Sequence, residues 1–421
     1  MARRAWVMLA LLGLLYILSF IDRFILALLV APLKADLGLS DVQLGLLFGT
    51  FFAIFYGLLG VPLARLADRG NRKRLIIAGV VIWSACTLGS AFARDYATLA
   101  ALRFGLAIGE AALTPAAFSM LTDAFPPRRR MLAGTLFSAS GMLGASLSFA
   151  IGAGVIAAAE VLARDVDLAA WRIAFVAVGV PGFVLAALFA LLAREPARMT
   201  HETAPPLGDV VRYLGARRRL YGGLYAGAAA AQMMSYAMVA WSPVLLERQY
   251  GFNVKEAGLL LGAAHVFSAV GGTLAVPTAI RALAVRTPGW AARVPALATI
   301  AGAALVVTAL QMPSIAPFLL LSTIGAFLVT GAINAIIVLI QPIAPPTMRA
   351  TFTALLLICI SSIGLGVGPP VAAMLGGGAG GIGAGLTALG LIDMVLAGTA
   401  LALAARPLRA ALTALHESKG E

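Results

Sequence analysis

The sequence has little charge for its length. Only 12% of its 421 residues are charged, whereas 61% are hydrophobic and the mean hydropathy is +0.97. Soluble domains carry about 25% charged residues and about 45 to 50% apolar ones, so this chain has too few polar side chains to cover a globular surface. The composition excludes a soluble globular protein and predicts a membrane protein.

Cysteine and histidine are also scarce. The two cysteines, Cys86 and Cys359, lie in long apolar runs, which excludes a disulfide framework or a cysteine metal cluster. The three histidines, His201, His265 and His416, do not accompany the nucleophile and base that a hydrolase needs. A nucleotide-binding loop of the pattern Gly-x-x-x-x-Gly-Lys-Ser/Thr is missing as well. The sequence therefore predicts neither an enzyme nor an ATP-driven pump, and it predicts no metal or organic cofactor.

Long apolar runs are abundant. A helix needs about 20 apolar residues to cross about 30 Å of hydrocarbon, and windows of that length fit the sequence twelve times. The first run continues beyond the length of a secretion signal and has no small-residue cleavage site, so we interpret it as a retained span. The predicted spans are 6–30, 43–66, 75–93, 98–124, 131–158, 171–193, 220–246, 257–280, 294–312, 317–343, 350–375 and 382–405.

Charged residues follow an alternating pattern in the loops. One set of loops is basic and carries Arg3, Arg4, Arg69, Arg72, Lys73, Arg74, Arg128, Arg129, Arg130, Arg212, Arg217, Arg218, Arg219, Arg281, Arg286, Arg293 and Arg349. The intervening loops carry charges of both signs, namely Lys34, Asp36, Asp41, Arg94, Asp95, Glu160, Arg164, Asp165 and Asp167. By the positive-inside rule the basic loops and both termini are cytoplasmic. This distribution explains the net charge of +13 without a nucleic-acid partner and predicts a multi-pass protein of the bacterial inner membrane.

One polar segment divides the chain. Residues 194–219 are predicted to be a cytoplasmic linker between an N-terminal six-helix bundle (1–193) and a C-terminal six-helix bundle (220–405), which is followed by a cytoplasmic tail (406–421). The predicted fold class is an all-α membrane protein with twelve transmembrane helices in two halves.

Short patterns recur in both halves. Pro-Pro-x-x-Arg precedes the fifth span at 126–130 and the eleventh at 345–349. A capping box followed by Gly-Leu-Leu-x-Gly begins the second span at 40–49 and the eighth at 253–262. These equivalent positions indicate a parallel internal repeat with pseudo-symmetric halves, and one class of transporter is built in this way, with its substrate site near the membrane midplane.

A few ionisable residues lie inside predicted spans, where a charge costs roughly 2.5 to 3.5 kcal/mol or more. Asp22 and Arg23 are in the first span, and Arg103 and Glu110 are in the fourth. At 1.5 Å per residue, Asp22 and Arg103 lie roughly 12 and 9 Å from the outer ends of their spans, so they can meet. Glu110 follows Arg103 by seven residues and shares its helix face. We interpret Asp22 and Glu110 as a proton-coupling pair, with Arg103 either switching between them or holding an anionic substrate group.

Alternatives remain for these residues. Asp22 and Arg103 could form a structural interhelical pair while Glu110 bonds to a hydroxyl group. Arg23 points about 100° away from Asp22 and is a candidate for substrate contact or for the outer rim. Two further polar residues stand alone in spans, Asp393 and His265. We expect ordinary interhelical hydrogen bonds there, with a proton relay through His265 as the alternative. Other candidate substrate contacts in spans are Tyr56, Gln232, Tyr236 and Asn334.

The loop after the second span resembles a signature of the major facilitator superfamily. It reads Gly-Val-Pro-Leu-Ala-Arg-Leu-Ala-Asp-Arg-Gly-Asn-Arg-Lys-Arg over residues 60–74, with an alanine where that family usually has its first glycine. The resemblance implies an inner gate in which Asp68 approaches the N-terminal end of span 11, where the helix dipole favours an anion. It also implies that Arg69 or Arg72 pairs with Asp123.

Further motifs resemble the spinster branch of that superfamily, and the resemblance covers nearly the whole chain. They are Phe-Ile-Asp-Arg-Phe at 20–24, Leu-Gly-Leu-Ser at 37–40, Arg-Phe-Gly-x-x-x-Gly-Glu-Ala at 103–111, Trp-Ser-Pro at 241–243 and Ile-Gln-Pro-x-x-Pro-Pro-x-Met-Arg-Ala at 340–350. The resemblance implies proton sites at Asp22 and Glu110 and a cavity position for Arg103. Two departures are the loop 281–293, which lacks the acidic residue of many relatives, and the fifth span, which lacks the proline of drug antiporters.

These observations predict a secondary transporter that is driven by the proton gradient. We expect a monomer that binds an amphipathic or anionic organic substrate, and the spinster resemblance implies a lipid such as a lysolipid or sphingoid phosphate. A drug exporter, a symporter of small organic acids and a receptor that does not transport are the alternatives. Proton flux would distinguish a receptor from the others.

Overall fold

The computed structural model describes residues 2–198, 206–286, 290, 292–377 and 381–420. The described residues form helices and short connections without a β-strand. The α-helices are α1 (Ala2–Leu28), α2 (Val30–Leu37), α3 (Asp41–Phe48), α4 (Thr50–Arg69), α5 (Arg72–Ser90), α6 (Tyr96–Ala111), α7 (Leu113–Ala124), α8 (Pro127–Leu162), α9 (Ala170–Leu192), α10 (Leu207–Ala216), α11 (Arg218–Tyr250), α12 (Val254–Val266), α13 (Gly272–Arg286), α14 (Val294–Ala309), α15 (Ile315–Ile343), α16 (Arg349–Cys359), α17 (Gly366–Leu375) and α18 (Gly381–Gly420). Two π-helical segments, Phe267–Gly271 and Ile360–Leu365, join α12 to α13 and α16 to α17.

The predicted spans correspond to these helices one by one. Within the described ranges, eleven helical stretches are long and apolar enough to cross a membrane, and α14 is a shorter apolar helix at the ninth predicted span. The fifth span extends beyond its predicted ends to Pro127–Leu162, and the twelfth continues to Ala414. The predicted all-α membrane fold is confirmed.

Capping side chains begin the second and eighth spans as predicted. The hydroxyl group of Ser40 accepts from the backbone N–H of Gln43 at 3.2 Å, and the Gln43 side chain accepts from the Ser40 N–H at 2.9 Å. Asn253 and Glu256 make the same reciprocal pair at 2.9 and 3.2 Å. Both capping boxes therefore satisfy N–H groups that a helix start leaves without intrahelical partners.

Contacts divide the chain into two compact units. The first comprises Met1–His201 with Ser242–Ala263, and the second comprises Glu202–Trp241 with Ala264–Glu421. The end of α11 and most of α12 thus pack within the first unit. The predicted bundles, residues 1–193 and 220–405, were defined by the order of the spans and not by contacts. They stay a prediction.

Close glycine contacts hold α5 against α6 in the first unit. A Cβ atom on Gly79 would lie 2.6 Å from the carbonyl oxygen of Gly109, and one on Gly109 would lie 2.5 Å from that of Gly79. The two backbones touch because neither residue has a side chain, as is common where membrane helices pack. This contact fixes the position of the helix that carries Arg103 and Glu110.

The second unit packs in a similar way. A Cβ atom on Gly302 of α14 would lie 2.7 Å from the carbonyl oxygen of Gly325 in α15. Near the start of α11, the Tyr225 hydroxyl group donates to the carbonyl oxygen of Phe352 at 2.7 Å. Backbone contact and this hydrogen bond position α11, which carries two of the candidate contact residues.

Candidate functional site

Four ionisable side chains of α1 and α6 lie together inside the first unit. Asp22, Arg103 and Glu110 are 1%, 4% and 2% exposed. The Arg103 guanidinium group donates to the backbone oxygen of Asp22 at 3.3 Å. Arg23 donates to the Glu110 carboxylate at 2.5 Å, so that the first and fourth spans are joined by a buried ion pair. The structure therefore brings together all four charges that the sequence placed in these two spans.

The sequence did not assign an ion-pair partner to Glu110. It left Arg103 either between the two carboxylates or on the substrate, and Arg23 at the substrate or the outer rim. In the structure Arg23 makes the ion pair with Glu110. The Arg23 guanidinium group lies 4.2 Å from the ring centre of Phe52 in α4 and 4.9 Å from that of Phe20. Because α4 packs against α6, an Arg23 side chain directed towards α4 also reaches Glu110. The angle of about 100° between Asp22 and Arg23 gives their directions on the first span, but it does not show which helices surround that span.

Several polar atoms of this cluster have no hydrogen-bond partner among the described residues. They are both carboxylate oxygens of Asp22, Oε1 of Glu110 and Nη2 of Arg103. A buried polar atom without a partner costs about 1 to 3 kcal/mol, and more if it is charged. Such atoms make this cluster the candidate position for a bound proton or ligand.

The other predicted contact residues have different surroundings. Tyr56 belongs to the charged cluster, since its ring centre lies 5.5 Å from the Arg23 guanidinium group. In the second unit, the Asn334 amide donates to the Thr273 hydroxyl group at 3.1 Å, so that part of its hydrogen-bonding capacity is already used.

Gln232 and Tyr236 are half-buried side chains of α11 in the second unit. A Cβ atom on Gly364 would lie 2.8 Å from the Gln232 side chain, which places Gln232 against the π-helical segment of the eleventh span. Asp393 is 1% exposed, and its Oδ1 has no hydrogen-bond partner among the described residues. The hydrogen bonding expected at Asp393 therefore does not satisfy the whole carboxyl group.

Arg72 forms the centre of a second charged cluster at the start of α5. Its side chain is 1% exposed and pairs with Asp123 and with Glu195, the latter at 2.6 Å. It also donates to the Ser119 hydroxyl group at 3.0 Å and to the Pro196 carbonyl oxygen at 2.8 Å. Of the two arginines considered for Asp123, the structure selects Arg72.

The remaining residues of the predicted inner gate lie at the surface. Asp68 and Arg69 are exposed, and the backbone oxygen of Asp68 accepts from Arg198. Arg198 also donates to the backbone oxygens of Ala67 and Gly70 at 2.6 and 2.5 Å. The expected approach of Asp68 to span 11 stays a prediction.

Sequence analysis missed Glu195 and Arg198. Both were assigned to a linker, yet they bind the loop between the second and third spans. Glu195 accepts from the backbone N–H of Lys73 at 2.7 Å, in addition to its pair with Arg72. The sequence feature that could have indicated them is an acidic and a basic residue directly after the sixth span. The arginine-rich loop at 69–74 is predicted on the same side of the membrane.

A third charged cluster was also missed. Both terminal nitrogens of Arg248 donate to the Asp41 carboxylate, at 3.0 and 3.1 Å, and Lys34 donates to it at 2.7 Å. Arg248 lies near the end of α11, in the part that belongs to the first unit. The sequence showed Asp41 and Lys34 only as loop charges.

The described residues thus contain eleven long apolar helices, one shorter apolar helix and a buried group of acids and bases across two spans, a combination typical of membrane transport proteins. The family model described as "Major Facilitator Superfamily" matches residues 12–369, and the chain belongs to that superfamily. The predicted family is thereby confirmed, and membership indicates a transporter rather than an enzyme.

Individual relatives agree with this assignment. An MFS-type efflux pump of Mycolicibacterium smegmatis is 30% identical over 376 residues, which cover 89% of this chain and 85% of the relative. A probable L-galactonate transporter of Escherichia coli is 24% identical over 269 residues, covering 61% of this chain and 57% of the relative. A crystal structure of a bacterial homologue of the human lysosomal transporter Spinster, inward-facing and unoccupied, has a TM-score of 0.84 and 27% identity and covers 98% of both chains. The chain is therefore spinster-like in structure.

Proposed function

We propose that this protein is a proton-coupled secondary transporter of an amphipathic or anionic organic substrate, working by alternating access. A lysolipid or a sphingoid-phosphate-like lipid is the substrate class that we favour. The observation that carries the proposal is the buried cluster of Asp22, Arg23, Arg103 and Glu110 across α1 and α6. Ionisable residues inside membrane spans generally mark ion or substrate pathways.

The two carboxyl groups are the proposed proton carriers. Asp22 has no hydrogen-bond partner for either oxygen among the described residues, and burying a bare carboxylate is costly, so a bound proton stabilises it there. Glu110 is neutralised by Arg23. A proton that binds Glu110 would weaken this ion pair and release the first span from the fourth. Proton binding would in this way change the contacts between two spans.

The arginines and aromatic rings are the proposed substrate contacts. Arg103 is fixed through the Asp22 backbone, while its Nη2 has no partner among the described residues and can bind a carboxylate or phosphate. The rings of Phe52 and Tyr56 lie beside the Arg23 guanidinium group and offer apolar surface next to these charges. An anionic head with an apolar tail fits both features.

Two alternatives have support from relatives. The efflux pump of M. smegmatis favours export, as a drug exporter would perform, and the probable L-galactonate transporter of E. coli favours transport of a small organic acid. An apolar drug would not need Arg103, whereas a sugar acid would need Arg103 without the aromatic surface.

The inner gate is proposed to comprise Asp68, Arg69, Arg72 and Asp123, strengthened by Glu195. The proposed location is the bacterial inner membrane, with both termini in the cytoplasm. The transporter is proposed to act as a monomer, with the proton gradient as its energy source.

Transport by purified protein in liposomes tests the function. We would impose a proton gradient and measure the movement of a labelled lysophospholipid, a hydrophobic cationic dye and a sugar acid. We expect lysophospholipid movement that collapses with a protonophore. Glu110→Gln and Arg103→Ala should each reduce it at least tenfold, while Glu160→Gln, an exposed carboxyl group at the end of α8, should leave it unchanged.

The other outcomes would contradict one part of the proposal each. Gradient-driven movement of the dye or the sugar acid without lipid movement would retain proton-coupled transport and reject the lipid. Binding of a substrate without movement under any gradient would favour a receptor. Transport that persists in Glu110→Gln with full proton dependence would reject the proposed coupling residue.

A further inference from the structure

A groove at one end of the first unit has no part in the proposed transport site. Its volume is about 580 Å³, and it lies between the end of α5, the end of α8 with its following loop, and the start of α9. Most of its wall is apolar and includes Phe92, Leu162, Val166 and Ile173. The two charged residues that line it are Arg94 and Arg172.

The groove lies where a membrane changes from hydrocarbon to headgroups. Helix α5 has 19 residues, from Arg72 to Ser90, and ends beside the groove. This helix is about 28 Å long at 1.5 Å per residue, close to the thickness of the hydrocarbon layer. If α5 crosses the membrane, the groove lies at the membrane boundary opposite the Arg72 cluster, where Phe92 is 71% exposed. Its apolar wall would then meet lipid chains, and its arginines would lie near the headgroups.

Arg172 is already held by the protein. It donates to the carbonyl oxygens of Ala91 and Ala93 at 2.8 and 3.0 Å, and it pairs with Asp36 at 3.3 Å. These bonds join α9 to the end of α5 and give the groove a fixed base. The charge of Arg172 is balanced by Asp36.

Arg94 is the exposed cation of the groove. The neighbouring carboxylate, Asp95, is directed to its own helix, where it accepts from the backbone N–H of Thr98 at 2.8 Å. This hydrogen bond lowers the pKa of the Asp95 carboxyl group. Arg94 is thus exposed beside apolar surface, with its guanidinium group accessible to a phosphate oxygen.

The loop after α8 adds acidic residues at the rim. Val166 and Leu168 line the groove, and their chain neighbours Asp165 and Asp167 are exposed. The groove therefore combines an apolar wall, an accessible guanidinium group and two carboxylates near the membrane boundary. A purely anionic headgroup would be attracted by Arg94 but repelled by the two carboxylates.

We propose that this groove binds a phospholipid with a phosphoethanolamine headgroup. One acyl chain lies along the apolar wall, the phosphate binds Arg94, and the ammonium group donates to Asp165 or Asp167. Phosphocholine has the same charges, but its quaternary ammonium group has no N–H to donate to a carboxylate. The site is separate from the Asp22 and Glu110 cluster, so the proposal does not depend on the transported substrate.

Lipid binding to the full-length protein tests the proposal. Delipidated protein in detergent would be mixed with phosphatidylethanolamine, phosphatidylglycerol or phosphatidylcholine of identical acyl chains, and bound lipid would be counted by native mass spectrometry. We expect phosphatidylethanolamine to be retained best. Arg94→Gln should weaken its binding roughly tenfold, the effect of losing a charge-assisted hydrogen bond. The double variant Asp165→Asn with Asp167→Asn should remove the preference over phosphatidylglycerol.

The matched control is Arg164→Gln, which removes an exposed arginine from the loop after α8. Arg164 itself does not line the groove. The control should change lipid binding less than twofold, and every variant would first be compared with wild type by thermal unfolding. Equal or stronger binding of phosphatidylglycerol by the wild type would overturn the headgroup assignment. Unchanged binding in a folded Arg94→Gln protein, or an equal loss in Arg164→Gln, would overturn the site.

Discussion

Asp22 and Arg23 are neighbours in the chain with different contacts. Asp22 is buried, and its carboxylate oxygens have no hydrogen-bond partner among the described residues, whereas Arg23 binds Glu110 of another span. Replacing the carboxyl group of Asp22 breaks no ion pair among the described residues. Changing Glu110 removes a buried ion pair. The two acids should therefore differ in their effect on stability even if both carry protons.

Asp22→Asn and Glu110→Gln separate these effects. Asp22→Asn keeps the size of the side chain, so we expect thermal unfolding within about 1 kcal/mol of wild type but at least a tenfold loss of proton-coupled transport. Glu110→Gln deprives Arg23 of its carboxylate, and breaking a buried pair costs about 3 to 5 kcal/mol. Unfolding in detergent and proton uptake into liposomes check both expectations. Equal destabilisation by the two variants would contradict the structural assignment of the ion pair.

The depth of each charge could be predicted from the sequence, but the partners could not. Counting residues from the span ends placed Asp22 near Arg103, and Arg103 does bind the backbone of Asp22. Counting residues did not reveal that Arg23 turns towards α4, because the direction of the Arg23 side chain depends on its contacts with Phe20 and Phe52. Those rings belong to two helices, and a reading of one helix at a time cannot relate them.

The segment after α9 holds the ends of two membrane helices, α5 and α7. Arg72 at the start of α5 binds Asp123 in α7 and Glu195 after α9. A guanidinium group has several donors in one plane, so a single side chain can hold both carboxylates. Glu195 therefore extends the predicted inner gate to the segment that follows the sixth span.

Arg72→Ala should strongly destabilise the protein. It deprives Asp123 and Glu195 of a guanidinium partner that is almost fully buried, and losses of this kind cost about 3 to 5 kcal/mol. The control, Arg69→Ala, removes an exposed arginine of the same loop and should change stability by about 0.5 kcal/mol or less. Thermal unfolding of both variants in detergent checks the difference. Similar unfolding midpoints would contradict the central role of Arg72.

The whole molecule has a distribution of basic loops that predicts its orientation. Positive charges in alternate loops predict that residues 194–219 and both termini lie in the cytoplasm. The proposed phospholipid groove, at the opposite end of α5 from the Arg72 cluster, would then face the outer leaflet.

Single cysteines test this orientation. Cys86 and Cys359 are first replaced by serine. In that background, Arg164→Cys should react in intact cells with a maleimide that cannot cross membranes. Arg212→Cys, in the predicted cytoplasmic linker, should react only after the cells are opened. Both positions are exposed, so labelling reports the side of the membrane. The reverse pattern would overturn the predicted orientation.

The amino-acid sequence by itself determined the number of spans, their approximate ends and the charges buried within them. These properties follow from the length of apolar runs and from the cost of placing charge in hydrocarbon, which depend on local composition. Only the tertiary structure decided that Arg23 pairs with Glu110, that Glu195 shares Arg72 with Asp123, and that Arg94 lines an apolar groove. Each of these arrangements joins residues from separate helices or loops, and their distances depend on how the helices pack.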